Sequence, residues 1–366
     1  MKNAFATPLL KRLAPKAGVK IDIEPTYRYA GQITLRDGTK RYFRGTNFDL
    51  NPLGASEIAK DKTYASYFMR KMGYRVVEGQ AFFSKQWGKT IGSRKDRDAA
   101  YRFAKRLGFP IIVKPNSLSQ GAGVCLVRSR KEFSYAVREI EKKDRVFRVE
   151  RVALGQDYRI VVLDNEIMSA YERLPLTVTG NGRSTIKQLL TAKQKLFVQT
   201  DRDTIIKQDD FRIGWHLKHN GFRQNTILEK GNTITLLDNK NLSSGGDAID
   251  VTKILHPTYK HFAIHLVKDM GLRYCGVDIM VDGDISKPLG RYQIIEINAA
   301  PGIDNYAKSG LQQKRIVENM YLKVLKAMAK KKYWRGAPNG KEPVSKTGAR
   351  KGLWVRVPPP PNYLFY

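Results

Sequence analysis

Apolar and polar positions change period several times along the chain, and each change predicts an element. Residues 1–26 keep no period, are basic, and are interrupted by Pro8, Pro15 and Pro25, which predicts irregular chain. Alternation then sets in. Tyr29 to Leu35 and Lys40 to Arg44 flank Asp37-Gly38, the signature of a β-hairpin. Ser56 to Met72 carries helical spacing and stops at Gly73. Gly108 to Pro115 reads as a buried strand, Arg130 to Lys142 as a charged amphipathic helix, and Arg145 to Glu150 as the next strand. Asp157–Leu163 and Glu166–Tyr171 predict a second hairpin across Asp164-Asn165. A helix over His256–Gly271, strands over Gly276–Val281 and Tyr292–Asn298, and a long basic helix over Leu311–Lys332 follow. Strands and helices alternate in two blocks that divide near residue 152. The fold class is α+β, with two lobes and a ligand cleft between them.

Composition adds limits. Of 366 residues, 42% are hydrophobic, enough for packed cores, and the length calls for more than one lobe. No run approaches the ~20 apolar residues of a membrane span, and the start lacks a signal-peptide stretch. Cys125 and Cys275 make neither a disulfide framework nor a zinc site, so the expected setting is reducing and cytoplasmic, with both thiols as packing residues. Lys and Arg exceed Asp and Glu by 66 to 34, a net charge of +32. The excess is dense from Lys323 onward, where Glu342 is the single acid. Such charge attracts nucleic acid, anionic small substrates or an acidic partner alike. With no zinc-finger spacing, basic heptads or aromatic RNA-binding signature, nucleic acid is not the expected main ligand. Pro- and Gly-rich residues from Gly336 predict a disordered tail.

Three stretches carry candidate chemistry. Lys114 ends a buried strand, and a small polar loop holding Gly121 and Gly123 follows it. Backbone N–H groups of such a loop can approach phosphate oxygens while the lysine supplies a point charge; an ordinary strand connection reads the same way. In Tyr292–Asn298, period-two alternation puts Glu296 and Asn298 on one face and Ile295 and Ile297 on the other. Asp278 sits between apolar neighbours, unusual for a carboxylate unless it is paired or binds metal. Two carboxylates and an amide oxygen suit Mg²⁺, although strand-end acids facing solvent remain the alternative. The five histidines show no metal spacing beyond His261 and His265, which share an amphipathic helix.

In chain order, Asp61-Lys62, Ile112–Pro115 with its glycine loop, Val149-Glu150, Gly155–Arg159, Gly276–Asp278 and Glu296–Gly302 resemble the motifs of the ATP-grasp superfamily. Two further stretches, Arg173–Ile186 and Asn241–Asp250, resemble the ATP-grasp portion of cyanophycin synthetases and bifunctional glutathione synthetases. The resemblance spans about residues 30–325. It implies ATP-grasp lobes over 61–152 and 153–325; composition and pattern add a basic segment and hairpin over 1–60 and a basic tail over 326–366. The resemblance also implies that Lys62 and Lys114 hold ATP phosphates beneath a loop containing Ser119, Gly121 and Gly123. By the same resemblance Glu150 with the backbone of Arg151 and Val152 would line the adenine pocket, and Asp157 would take the ribose hydroxyls. Asp278, Glu296 and Asn298 would hold Mg²⁺, with Mn²⁺ as an alternative. Arg159 and Arg173 would face the transferred phosphate or the substrate carboxylate, a surface salt bridge being the competing role of each.

The activity implied is ATP-dependent joining of a carboxylate to an amine through an acylphosphate, releasing ADP and phosphate. The substrates would be amino acids or peptides, and a homo-oligomer is left open. A kinase that stops at phosphotransfer to a hydroxyl, or a basic nucleic-acid-binding or scaffold protein on the same fold, are the alternatives.

Overall fold

A computed structural model describes residues 5–330 apart from Asp201 and Asp203. Of the tail expected over 326–366, residues 331–366 lie outside the described residues.

Residues 5–26 are not irregular: α1 spans Ala6–Ala17. Pro8 falls in its first turn, where N–H groups have no intrahelical partner, and Pro15 falls in its last turn. Leu9, Leu10, Leu13 and Ala14 make the buried stripe, and Gly18 at φ 69 ends the helix. Strands β1 (Lys20–Ile23), β2 (Ala30–Thr34), β3 (Lys40–Arg44) and β4 (Asn47–Phe48) form an antiparallel sheet, with β2 and β3 as the expected hairpin. The helix expected over Ser56–Met72 is two helices, α2 (Leu53–Lys60) and α3 (Lys62–Lys71). They part at Asp61, whose side chain accepts from the N–H groups of Thr63 and Tyr64 at 2.8 and 3.0 Å. A capping aspartate thus outweighs continuous helical spacing and puts Lys62 at the start of a helix.

The next lobe contains β5 (Gly79–Phe83), α4 (Lys85–Thr90), α5 (Arg97–Leu107), β6 (Ile111–Pro115), β7 (Cys125–Val127), α6 (Arg130–Glu141) and β8 (Val146–Arg151). Its sheet order is β5-β8-β6-β7. Alternation sorts the side chains: Ile111, Val113, Phe147 and Val149 join the core under α5 and α6, so Ile112, Lys114, Arg148 and Glu150 face the other way.

The second lobe begins with β9 (Gln156–Leu163), β10 (Glu166–Leu174) and β11 (Thr177–Thr179). Then come α7 (Ile186–Gln199), α8 (Phe211–His219), β12 (Thr233–Thr235), β13 (Asp247–Asp250), α9 (Pro257–Asp269), β14 (Tyr274–Asp282), β15 (Arg291–Asn298), α10 (Asp304–Ala307) and α11 (Leu311–Ala329). The main sheet runs β13-β10-β9-β14-β15. One face, with Tyr158, Ile160, Val162, Val277 and Ile279, packs on α9. The opposite face is divided along its length. At one end Val161, Leu163 and Tyr274 share a core with α1, the N-terminal sheet and α11; at the other, Asp157 and Asp278 line the cleft, with Arg159 paired between them on the same sheet face. The segment 1–60 therefore shares its core with the second lobe, and the expected boundary at 325/326 falls inside α11. The chain before β5 also touches β15, with Val77 N–H donating to the Ile294 carbonyl at 3.2 Å.

One face assignment changes. A β-bulge lies between Asp278 and Ile279, opposite Glu296 and Ile294. The extra residue on β15 is Ile295, which lines the cleft beside Glu296 instead of opposing it.

Candidate functional site

The cleft face of the first lobe carries a buried charge cluster. Lys114 Nζ lies 2.6 Å from Glu150 Oε2, and Arg148 Nε lies 2.7 Å from Glu150 Oε1. Arg148 also donates to Thr63 Oγ1 at 2.9 Å, which ties α3 to β8. Burial alone would raise the Glu150 carboxyl, but the charges of Lys114 and Arg148 outweigh it and hold it below the usual range. Gly79, paired with Glu150 across β5 and β8, has no room for a side chain: a Cβ would meet Glu150 Cγ at 2.4 Å.

On the second lobe, strand register assembles the functional row. Tyr171 of β10, Arg159 of β9, Asp278 of β14 and Glu296 of β15 are successive cross-strand partners. Asp157 and Arg173 pair on the same face two residues further along β9 and β10. Asp278, fully buried, receives Arg159 through both oxygens at 2.6 Å and Arg173 Nη1 at 2.9 Å. Arg173 also donates to Asp157 at 2.7 and 2.9 Å. Burial would lift Asp278, but the Arg159 and Arg173 guanidiniums bring it down to about 2. Burial pushes Asp157 the other way, up, against the pull of Arg173.

Lys62 stands between the lobes. Its Nζ donates to the carbonyl of Leu118 at 2.7 Å and lies 3.5 Å from Glu296 Oε2. The loop it touches, Ser117–Val124, has Gln120, Gly121 and Gly123 at φ 59, 71 and 70. Gly121 needs its hydrogen, since a Cβ would meet Asn239 Nδ2 at 2.8 Å.

A cavity of about 440 Å³ joins these groups. Lys62, Lys114, Ser119, Gly121, Glu150, Arg151, Val152, Asp157, Arg173, Asp278 and Glu296 all line it. Arg159, Asn298 and Gly123 do not: Arg159 is paired with Asp278, Asn298 lies two residues beyond Glu296 on β15, and Gly123 packs on Pro115. The Arg151 side chain turns outward to Glu78 and the Leu107 carbonyl, so its backbone is what faces the cleft. Sequence reading missed several groups. Arg148 was signalled by its alternation with Phe147 and Val149. Arg212, Trp215, Asn239 and Lys240 line the cavity from a stretch with no motif of its own. Cys125 and Cys275 are buried and unpaired, their thiols pushed up to about 12 by burial.

The donor set suits a hard divalent cation. Glu296 is partly exposed, and its contacts to Lys62 and Asn298 are long, 3.5 and 3.3 Å. Carboxylate and amide oxygens are the hard donors Mg²⁺ prefers. Asp278 adjoins Glu296 in register but is occupied by two arginines.

Two lobes closing on a lysine-bearing strand, a glycine loop and an acid–amide strand define the class: the chain belongs to the ATP-grasp superfamily. Residues 68–182 match the family described as the D-ala D-ala ligase C-terminus. The chain is 36% identical over 303 residues to cyanophycin synthetase of Trichormus variabilis, covering 81% of this chain and 32% of that protein. It is 29% identical over 278 residues to the glutathione biosynthesis bifunctional protein of Enterococcus faecalis, covering 73% of this chain and 35% of that one. The chain thus spans about a third of the length of these relatives. A bifunctional glutathione synthetase structure from Pasteurella multocida aligns with TM-score 0.55 and 22% identity, over 88% of this chain and 44% of that chain, a likeness of fold.

Proposed function

We propose that this chain is an ATP- and Mg²⁺-dependent carboxylate–amine ligase acting on amino acids or peptides. The observation that carries the reading is the meeting of Lys62, Lys114, Glu150, Arg173, Asp278 and Glu296, from separate motifs, in one cavity between two lobes. Lys114 and Lys62 would hold ATP phosphates under the loop Ser117–Val124. Backbone at Arg151 and Val152 would frame the adenine, with Asp157 near the ribose. Glu296 and Asn298 would hold the cation, with Asp278 beside them; when bound, Mg²⁺ offsets negative charge on the β- and γ-phosphates.

A carboxylate is a poor electrophile at neutral pH. Its oxygen takes the γ-phosphoryl group, ADP leaves, and the resulting acylphosphate is attacked by an amine nitrogen. The C–N bond forms, the C–O bond to phosphate breaks, and the amine loses a proton. Phosphoryl transfer asks mainly for positioning and for cations facing developing charge. Arg159 and Arg173 are the guanidiniums on the same sheet face for that work, and Asp278 and Asp157 orient them. The glycine loop would keep water from the acylphosphate. Two buried free cysteines suit the cytoplasm, where this reading expects the reaction.

The test is a phosphate-release screen of amino acids and short peptides, as acid and amine pairs, with Mg²⁺-ATP. Amide product with ADP and phosphate is expected. A phosphorylated alcohol would select the kinase instead, and salt-sensitive nucleic-acid binding without turnover would overturn both.

A further inference from the structure

Helix α8 belongs to the insertion between β11 and β13, which has its own small core of Val178, Ile186, Leu190, Ile213 and Leu217 among others. Ile213 and Leu217, one turn apart, bury into that core. Phe211 and Trp215 instead pack against the first lobe, each meeting Tyr135 of α6 with ring centroids 4.9 and 5.6 Å apart. His219 adds a 2.6 Å contact to Glu132 of α6. A helix held in two cores at once is fixed in place, and Arg212 on its first turn is fixed with it.

Arg212 is clamped at its base by Asp210, with Nη2 2.6 Å from Oδ2. Its Nη1 donates to the carbonyls of Gly121 at 2.9 Å and Val124 at 3.1 Å. Asn239 Nδ2 reaches the same Gly121 carbonyl at 3.3 Å, and Lys62 holds that of Leu118. In a trans peptide the N–H points opposite to the C=O of the same unit. Drawing the Leu118 carbonyl toward Lys62 therefore turns the Ser119 N–H the other way, as a phosphate cradle requires. We infer that Arg212 is a positioning residue that locks the loop Ser117–Val124 in its phosphate-covering conformation from the opposite lobe. The inference rests on the nucleotide reading of this cavity but concerns a group outside its motifs.

The test compares wild type with Arg212→Ala, Arg212→Lys and Asp210→Asn by hydrogen exchange, with and without Mg·ADP, and by ATP-concentration dependence of phosphate release. In Arg212→Ala, amides of residues 117–124 should exchange at least about tenfold faster while core strands keep their protection, as local opening demands. KM for ATP should rise more than kcat falls, and Arg212→Lys should lie between, because an ammonium lacks the planar fork. Asp210→Asn, which keeps the arginine but loosens its base, should show a smaller version of the same change. Unchanged exchange over 117–124 in Arg212→Ala and Asp210→Asn, or faster exchange spread evenly over the whole protein, overturns the inference. Failure of wild type to bind Mg·ADP would count against the nucleotide reading, whereas the exchange of the free protein decides Arg212 by itself.

Discussion

Removing Lys114 should cost the fold as well as the nucleotide. Its ammonium lies 2.6 Å from Glu150, and the two side chains are 5% and 6% exposed. At that distance and an effective dielectric of 20 the attraction is about 6 kcal/mol, against a desolvation penalty of several kcal/mol per ion. Breaking such a pair from one side leaves a buried charge with less compensation, and Lys114→Met should cost about 3 kcal/mol or more. Arg148 remains beside Glu150 and limits the loss. Glu150→Gln should cost a similar amount, since it strands two cations. The double variant should fall short of the sum, because Lys114 and Glu150 are removed together and only Arg148 is left without its carboxylate; the coupling should be about 2 kcal/mol. Urea unfolding measures all four corners of the cycle. Glu150 sits below its usual pKa, so its share of stability is present above the ordinary carboxylate range and fades as pH falls through the lowered value. The Glu150→Gln variants should lack that acid-side loss. Additive single effects, with wild-type acid sensitivity in Glu150→Gln, would refute the cluster as an energetic unit.

Asp278, at about 2 against an ordinary 3.8, should contribute about 2 kcal/mol at neutral pH, present above about pH 4 and lost as pH falls toward 2. The stability gap between wild type and Asp278→Asn should narrow over that window in denaturation series; a constant gap would argue against the arginine pairing. Glu296→Gln with Asn298→Ala should cut phosphate release by orders of magnitude while circular dichroism and melting stay close to wild type, because both side chains are partly exposed. Gly155→Ala should destabilise by about 2 kcal/mol or more, since its φ is +105 and a Cβ would meet the Val281 carbonyl at 2.1 Å. A neutral melting temperature in that variant would mean the β9–β14 junction can yield.

Period and punctuation in the sequence determined much of this protein. Strand alternation over Tyr292–Asn298 set Glu296 and Asn298 on one face, because a strand's two faces follow directly from its residue order. The order of short motifs pointed to the superfamily and named residues that the fold gathers around one cavity. Other features depend on contacts made far along the chain, and local pattern cannot report them. Pro8 and Pro15 concealed α1, whose leucines become core only when α11 packs on them. A bulge moved Ile295 into the cleft, because register is set by the partner strand. Asp278 stands in a motif of its own, Gly276–Asp278, yet its tie to Arg159 and Arg173 exists only because β10, β9 and β14 lie side by side. Arg212 carries no motif at all: its role comes from where an insertion with its own core sets α8 against the first lobe, and only the assembled fold brings that guanidinium to the glycine loop.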